Sequence, residues 1–266
     1  MKFIHLTDLH ISADGSSPAL KMANEHTRRA IDEINRLHAD AELCIITGDI
    51  VADPDPDAYR LAEELISSLT MPVYALPGNH DDREMACQAL SCVRADENGF
   101  LQQVVETSHG PFLLLDTIAP GSHAGVMCQE RLNWVAETLQ SYAEPVRLFM
   151  HHAPFPTGLA AMDTIGLDPA AAERLGDILV AHGYVTHLFF GHYHRPMSGV
   201  WRGIPFSSHR SMMQQCALDL FQADHVPAIF EEPQFAVVLV SDAQTVVHYH
   251  DFASTAQRGS MGTATG

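Results

Sequence analysis

Basic residues are scarce. Lysine and arginine together number 15 against 33 aspartates and glutamates, a net charge of −18. A field of that sign repels polyanions, so neither a long nucleic acid nor an anionic membrane is an expected partner. Cysteine is limited to Cys44, Cys87, Cys92, Cys128 and Cys216, an odd number with no CxxC pair. That usage reads as reduced thiols in a cytoplasmic protein rather than a disulfide framework. No apolar run approaches the roughly 20 residues of a membrane span. The opening stretch carries Lys2, His5, Asp8 and His10, so it lacks the unbroken apolar segment of a secretory leader. No internal repeat is visible.

Hydrophobic residues are plentiful at 46%, enough for a sizeable core. Short apolar runs, rich in branched and aromatic residues, predict strands at Phe3–Leu6, Leu43–Thr47, Val73–Leu76, Phe112–Leu115, Arg147–Met150 and His187–Phe190. Between them Ala30, Ile31, Ile34 and Leu37 recur at helical spacing, as do Leu132, Val135 and Leu139. Asp168 followed by Pro169 is a cap and first turn. Strands alternating with helices predict a layered α/β sandwich with parallel strands. Beyond Gly191 the texture changes. Strands are expected at Ser198–Pro205, Phe235–Val240 and Thr245–Tyr249, and the stretch Met212–Pro233 reads as irregular. The organisation expected is one α/β domain over 1–252, with a cap or subunit-contact segment at about 198–233 and a flexible Ser/Thr/Gly/Ala-rich tail over 253–266.

Polar clusters follow five of the predicted strands: Asp8-Leu9-His10, Gly48-Asp49, Gly78-Asn79-His80-Asp81, His151-His152 and Gly191-His192-Tyr193-His194. The carboxyl ends of parallel strands share one edge, where ligands bind, so clusters distant in sequence should meet in space. Carboxylate, amide oxygen and imidazole without thiolate suit iron, manganese, cobalt or zinc in a catalytic site. The glycines mark sharp exits from strand to loop, where a side chain would crowd the site.

These blocks read DxH, GD, GNHD, HH and GHxH in order, from residue 8 to residue 194. The sequence resembles the calcineurin-like metallophosphoesterase superfamily. Within it, the stretches ending Pro77-Gly78-Asn79-His80-Asp81-Asp82 and His151-His152-Ala153-Pro154-Phe155-Pro156 resemble bacterial class III cyclic-nucleotide phosphodiesterases and glycerophosphodiesterases. The resemblance implies an αββα sandwich with two divalent metal ions. By motif, the first takes Asp8, His10, Asp49 and His194, the second Asp49, Asn79, His151 and His192, with Asp49 bridging. It implies hydrolysis of a small phosphate diester, such as a cyclic nucleotide or a glycerophosphodiester, by a hydroxide shared between the metals. His80 would act on the leaving oxygen with Asp81 orienting its ring. A phosphomonoesterase or pyrophosphatase on the same fold, or a non-catalytic metal scaffold, is the alternative.

Substrate contacts are expected from His152, from His209 and Arg210 after the strand that follows GHYH, and from Asn24, which falls where relatives line the pocket. His5 reads as a packed histidine. One departure stands out: relatives often carry a histidine where this chain has Gln214, which bears on substrate choice and not on the metals. Apolar residues Met212, Leu218, Leu220, Phe221, Ile229 and Phe230 supply surface for a homo-oligomer contact.

Overall fold

The computed structural model describes residues 1–15 and 17–254. The chain begins β1 (Lys2–Leu6), α1 (Pro18–Leu37), β2 (Leu43–Thr47), α2 (Pro56–Ile66), β3 (Val73–Leu76) and α3 (Arg83–Ala89). It continues β4 (Gln103–Val105), β5 (Phe112–Leu114), α4 (Gln129–Gln140), β6 (Val146–Met150), α5 (Ala160–Asp163), α6 (Pro169–His182) and β7 (Val185–Phe190). The last part is all strand: β8 (Met197–Trp201), β9 (Ile204–Ser208), β10 (Gln215–Cys216), β11 (Ala228–Ile229), β12 (Phe235–Val240) and β13 (Thr245–His250). The helices start where the sequence signals them. Ser17, Asp55 and Asp168 each accept a hydrogen bond from the backbone N–H three residues on, with proline in the first turn.

Among the described residues two large sheets form, in the orders β13-β12-β1-β2-β3 and β4-β5-β6-β7-β9-β8, beside a two-stranded ribbon, β10-β11. Their facing sides bury Phe3, Phe112, Phe149 and Phe189 together with Ile45, Leu76 and Val238. The Phe149 and Phe189 rings stack at 4.9 Å, and Phe3 meets both edge-on. Apolar stripes of α1 and α2 cover the outer side of the first sheet through Ile31, Ile34, Tyr59 and Leu65. Those of α4 and α6 cover the second through Leu132, Val135, Leu175 and Leu179. The result is the helix–sheet–sheet–helix layering expected.

Two expectations change. The single strand expected over 198–205 is a hairpin, because Arg202 (φ 50°) and Gly203 (φ 86°) both adopt the left-handed conformation of a tight two-residue turn between β8 and β9. The 212–233 stretch, read as irregular, contains the β10–β11 ribbon. Of the expected tail, Ala253 is buried and its carbonyl lies 3.5 Å from Arg29 Nη2, while residues 255–266 lie outside the described residues.

Parallel pairing runs β1–β2–β3 in one sheet and β5–β6–β7 in the other. The five polar clusters therefore come from two sheets rather than one edge of one sheet. β1, β2 and β3 deliver Asp8, Asp49 and Asn79, and β6 and β7 deliver His151 and His192.

Candidate metal centre

Backbone geometry sets the site apart. Six non-glycine residues have positive φ among the described residues, and five of them are Asp8, His10, Asp49, His192 and His194. The left-handed conformation is strained for side chains of this kind and is held only where surroundings over-determine it. Those surroundings are cross-links between strand ends. Asp8 N–H donates to the Gly48 carbonyl and His10 N–H to the Asp49 carbonyl, both at 3.0 Å. His192 N–H reaches both oxygens of the buried Asp8 carboxylate at 3.1 Å. Gly78 packs so tightly that a Cβ there would sit 2.2 Å from Asp49 Oδ1, so only glycine fits.

The side chains converge in two groups. Asp8, His10, Asp49 and His194 offer ligand atoms all within 4.8 Å of one another. In the other group, His151 Nε2 lies 3.1 Å from Asn79 Oδ1. Asp49 joins the two: its Oδ2 is 3.7 Å from His10 Nε2 and 3.3 Å from His151 Nε2, while its Oδ1 accepts the His80 backbone N–H at 2.9 Å. His151 and His194 are each fixed by a backbone carbonyl. His151 Nδ1 donates to Thr47 O and His194 Nδ1 to Gln214 O, both at 2.8 Å, which leaves Nε2 lone pairs facing inward. His192 Nε2 is buried with no hydrogen-bond partner among the described residues, a cost that a cation would relieve. This donor set of carboxylate, amide oxygen and imidazole fits divalent metal ions.

Electrostatics agrees with a site built for cations. Burial opposes the charge on Asp49, but the surrounding imidazoles of His151, His10 and His80 together hold the carboxyl well below its usual range. Burial pushes His10 down to about 3 and His192 well below 6.5, so both rings stay neutral with lone pairs available.

His80 lines the same cavity, about 280 Å³ in volume, with His10, Asp49, His192 and His194. Its Nδ1 donates to the Ala52 carbonyl at 2.7 Å. Asp81 does not orient it, contrary to expectation. The Asp81 carboxylate is taken up by the backbone N–H groups of Gly78 (2.9 Å), Ile50 (3.1 Å) and Val51 (3.2 Å), so it ties two strand-end loops together.

The expected substrate contacts lie elsewhere. Arg210 pairs with Glu231 and Asp251, each at 3.2 Å, because the turn after β9 sends its guanidinium to that acidic rim. His209 is buried between the sheets with its ring 4.7 Å from that of His5. Asn24 spends its amide on Ser12, accepting from the backbone N–H at 3.1 Å and donating to the carbonyl at 2.7 Å. His152 is buried and hydrogen-bonded at both ring nitrogens, to Thr117 Oγ1 (2.7 Å) and the His123 carbonyl (3.0 Å). It falls within 4.8 Å of His151 and His192, but with both nitrogens engaged it backs the site, and Asn79 is the better-placed fourth donor.

One cavity residue escapes sequence reading. His123 lines the cavity beside Asn79 and His80, in the loop after β5. The signal available was that β5 runs parallel to β6, so its carboxyl end opens on the same edge. The rest of the wall comes from Met162 and Ile165 and from the ribbon segment: Met213, Gln214, Gln215, Cys216, Val226 and Ala228. Among the described residues it contains neither lysine nor arginine.

Residues 1–196 match the calcineurin-like phosphoesterase family. The chain is 37% identical over 256 residues to a probable cyclic nucleotide phosphodiesterase from Rhodopseudomonas palustris, covering 95% of this chain and 93% of that one. It is 31% identical over 236 residues to a probable glycerophosphodiester phosphodiesterase from Arcobacter nitrofigilis, covering 88% and 86%. In fold it is similar to a dimetal phosphatase from Danio rerio, with a TM-score of 0.70 at 15% identity, covering 94% of this chain and 95% of that one.

Proposed function

The chain belongs to the calcineurin-like phosphoesterase family, and on that premise we propose that it hydrolyses small phosphate diesters, cyclic nucleotides or glycerophosphodiesters, with two divalent metal ions. The observation that carries this reading is Asp49 Oδ2, which faces both donor groups at the floor of a cavity that His80 also lines. Asp8, His10, Asp49 and His194 would hold one ion. Asp49, Asn79, His151 and His192 would hold the other, drawn from iron, manganese, zinc or cobalt. When bound, such ions supply Lewis acidity toward the phosphate and toward a water.

The protein's own residues do the rest. His80, its Nδ1–H fixed on Ala52, presents the Nε2 lone pair to take up a proton from water and pass it to the departing alkoxide. The ribbon segment closes the far wall with Met213, Val226 and Ala228, an apolar bed for a diester's substituent, and Gln214 and Gln215 add amides. A monoester brings a second negative charge, and among the described residues no lysine or arginine lines the cavity to receive it, which favours the singly charged diester.

The apolar residues left exposed on 218–230 support a homo-oligomer in which a second copy covers this segment. Among the described residues no helix is long and apolar enough to cross a membrane. The five free cysteines, three of them buried, support a place in the reducing cytoplasm.

The test compares bis(4-nitrophenyl) phosphate with 4-nitrophenyl phosphate at one pH with one metal. A kcat/KM for the diester higher by about tenfold or more is expected, a difference of only about 1.4 kcal/mol. A monoester advantage of similar size would replace the diesterase reading with a phosphomonoesterase one.

A further inference from the structure

The loop that carries His123 is anchored at its root. The buried Asp116 carboxylate takes Arg83 through two nitrogens at 2.6 and 2.9 Å, and also receives the backbone N–H groups of Leu101 and Ile118 at 2.9 Å. Arg83 and Arg131 both donate to the Ile118 carbonyl, at 2.6 and 3.1 Å. Farther along, Val126 N–H returns to Thr117 O at 3.0 Å, and His152 Nε2 donates to the carbonyl of His123 itself. Two arginines, a buried acid and a buried histidine thus hold this short stretch in place. Its one imidazole is exposed at the mouth of the metal cavity, with its ring 5.3 Å from that of His80.

The hydrogen bonding fixes what that imidazole can offer. Asn79 turns its Oδ1 to His151, so its Nδ2, a donor only, faces His123 Nδ1 at 3.0 Å. His123 Nδ1 therefore accepts, and the ring proton sits on Nε2. His80 has the opposite tautomer, with its proton on Nδ1 toward Ala52 and its lone pair on Nε2. The two rings on this side of the cavity are complementary: one can take a proton, and the other presents an N–H donor without ionising.

We propose that His123 is a substrate-binding residue. Its Nε2–H donates to an oxygen of the bound phosphate, while its Nδ1 accepts from the Asn79 amide. This assignment rests on the phosphoesterase reading of the site. It gives a lining that holds no lysine or arginine among the described residues a neutral donor for the phosphoryl oxygens. It also explains why a residue in an exposed loop is held by so many buried groups.

The experiment uses the manganese-loaded protein, with His123→Ala and His123→Gln beside the wild type. Three quantities are read: metal content, the dissociation constant of inorganic phosphate by calorimetry, and kcat and KM for bis(4-nitrophenyl) phosphate. Removing one hydrogen bond to a charged group should weaken phosphate binding and raise KM by about tenfold, with kcat less affected and the metal content unchanged. Glutamine, which can accept from Asn79 and donate to phosphate, should recover most of the loss. Wild-type phosphate affinity in His123→Ala, or a loss explained entirely by missing metal, would overturn the proposal. If the wild type binds phosphate and cleaves no diester, the diesterase reading fails, and the calorimetric comparison still decides the role of His123.

Discussion

His80 Nδ1 donates a 2.7 Å hydrogen bond to the carbonyl oxygen of Ala52, and this contact rather than a carboxylate sets the orientation of the ring. A neutral backbone acceptor fixes the tautomer without adding charge, which leaves Nε2 free to carry the proton of the reaction. His80→Ala should keep its metals and lose kcat by roughly 10²-fold or more on an alkyl ester. The loss should be smaller with nitrophenolate, which leaves without a proton. Equal losses on both leaving groups would remove the general-acid role.

Asp81, two loops' worth of backbone in its grip, has a structural task. Three backbone N–H groups end on its carboxylate, and it is buried. Asp81→Ala strands those donors, so a loss of about 2–4 kcal/mol in unfolding free energy is expected. Denaturant melts of the metal-free protein read this directly. If Asp81→Ala were as stable as the wild type and lost only turnover, a catalytic part would have to be restored to it.

How much of this was legible beforehand follows from where each side chain leaves its strand. Asp8, Asp49, Asn79, His151 and His192 lie within three residues of a strand end, so the strand pattern brings their clusters together and the motif resemblance names them as ligands. His123 lies nine residues past β5, and only the folded loop brings it back to Asn79. Arg210 illustrates the opposite error. It lies two residues past β9, close enough to suggest the site, but the direction of the turn is set by Glu231 and Asp251, which belong to other parts of the chain. Asp81 misled because a motif shows which residues are present and not which buried N–H groups need an acceptor. The two-sheet origin of the site was hidden for a related reason. Parallel strands look alike in sequence whichever sheet they join.

Away from the site, His187 on β7 is paired in register with Arg147 on β6 and hydrogen-bonds Ser207 Oγ at 2.9 Å. Burial, and secondarily Arg147, lower it to about 4. An unfolded chain would protonate this ring near 6.5. Between those values the unfolded state binds a proton that the folded state does not, so stability falls as pH drops from 6.5 toward 4. At pH 5 the effect is on the order of 2 kcal/mol. His187→Gln should lose less stability than the wild type between pH 7 and pH 5 in paired urea melts of metal-free protein. Parallel curves would contradict the assignment.

The ribbon segment exposes Phe221 (94%) and Phe230 (73%) to solvent in the single chain. Covering them with a second copy removes that apolar surface from water. Light scattering should give a mass of at least two chains at micromolar concentration, and Phe221→Ser with Phe230→Ser should shift it toward one. A strict monomer for the wild type would reject the contact.

The central claim is that divalent metals, held through Asp49, are what make this chain an enzyme. Protein stripped by exhaustive chelation should not hydrolyse bis(4-nitrophenyl) phosphate. Activity should then rise with added manganese and level off at about two equivalents per chain, while Asp49→Ala stays inactive at any metal concentration. Full activity in the metal-free protein would contradict the account.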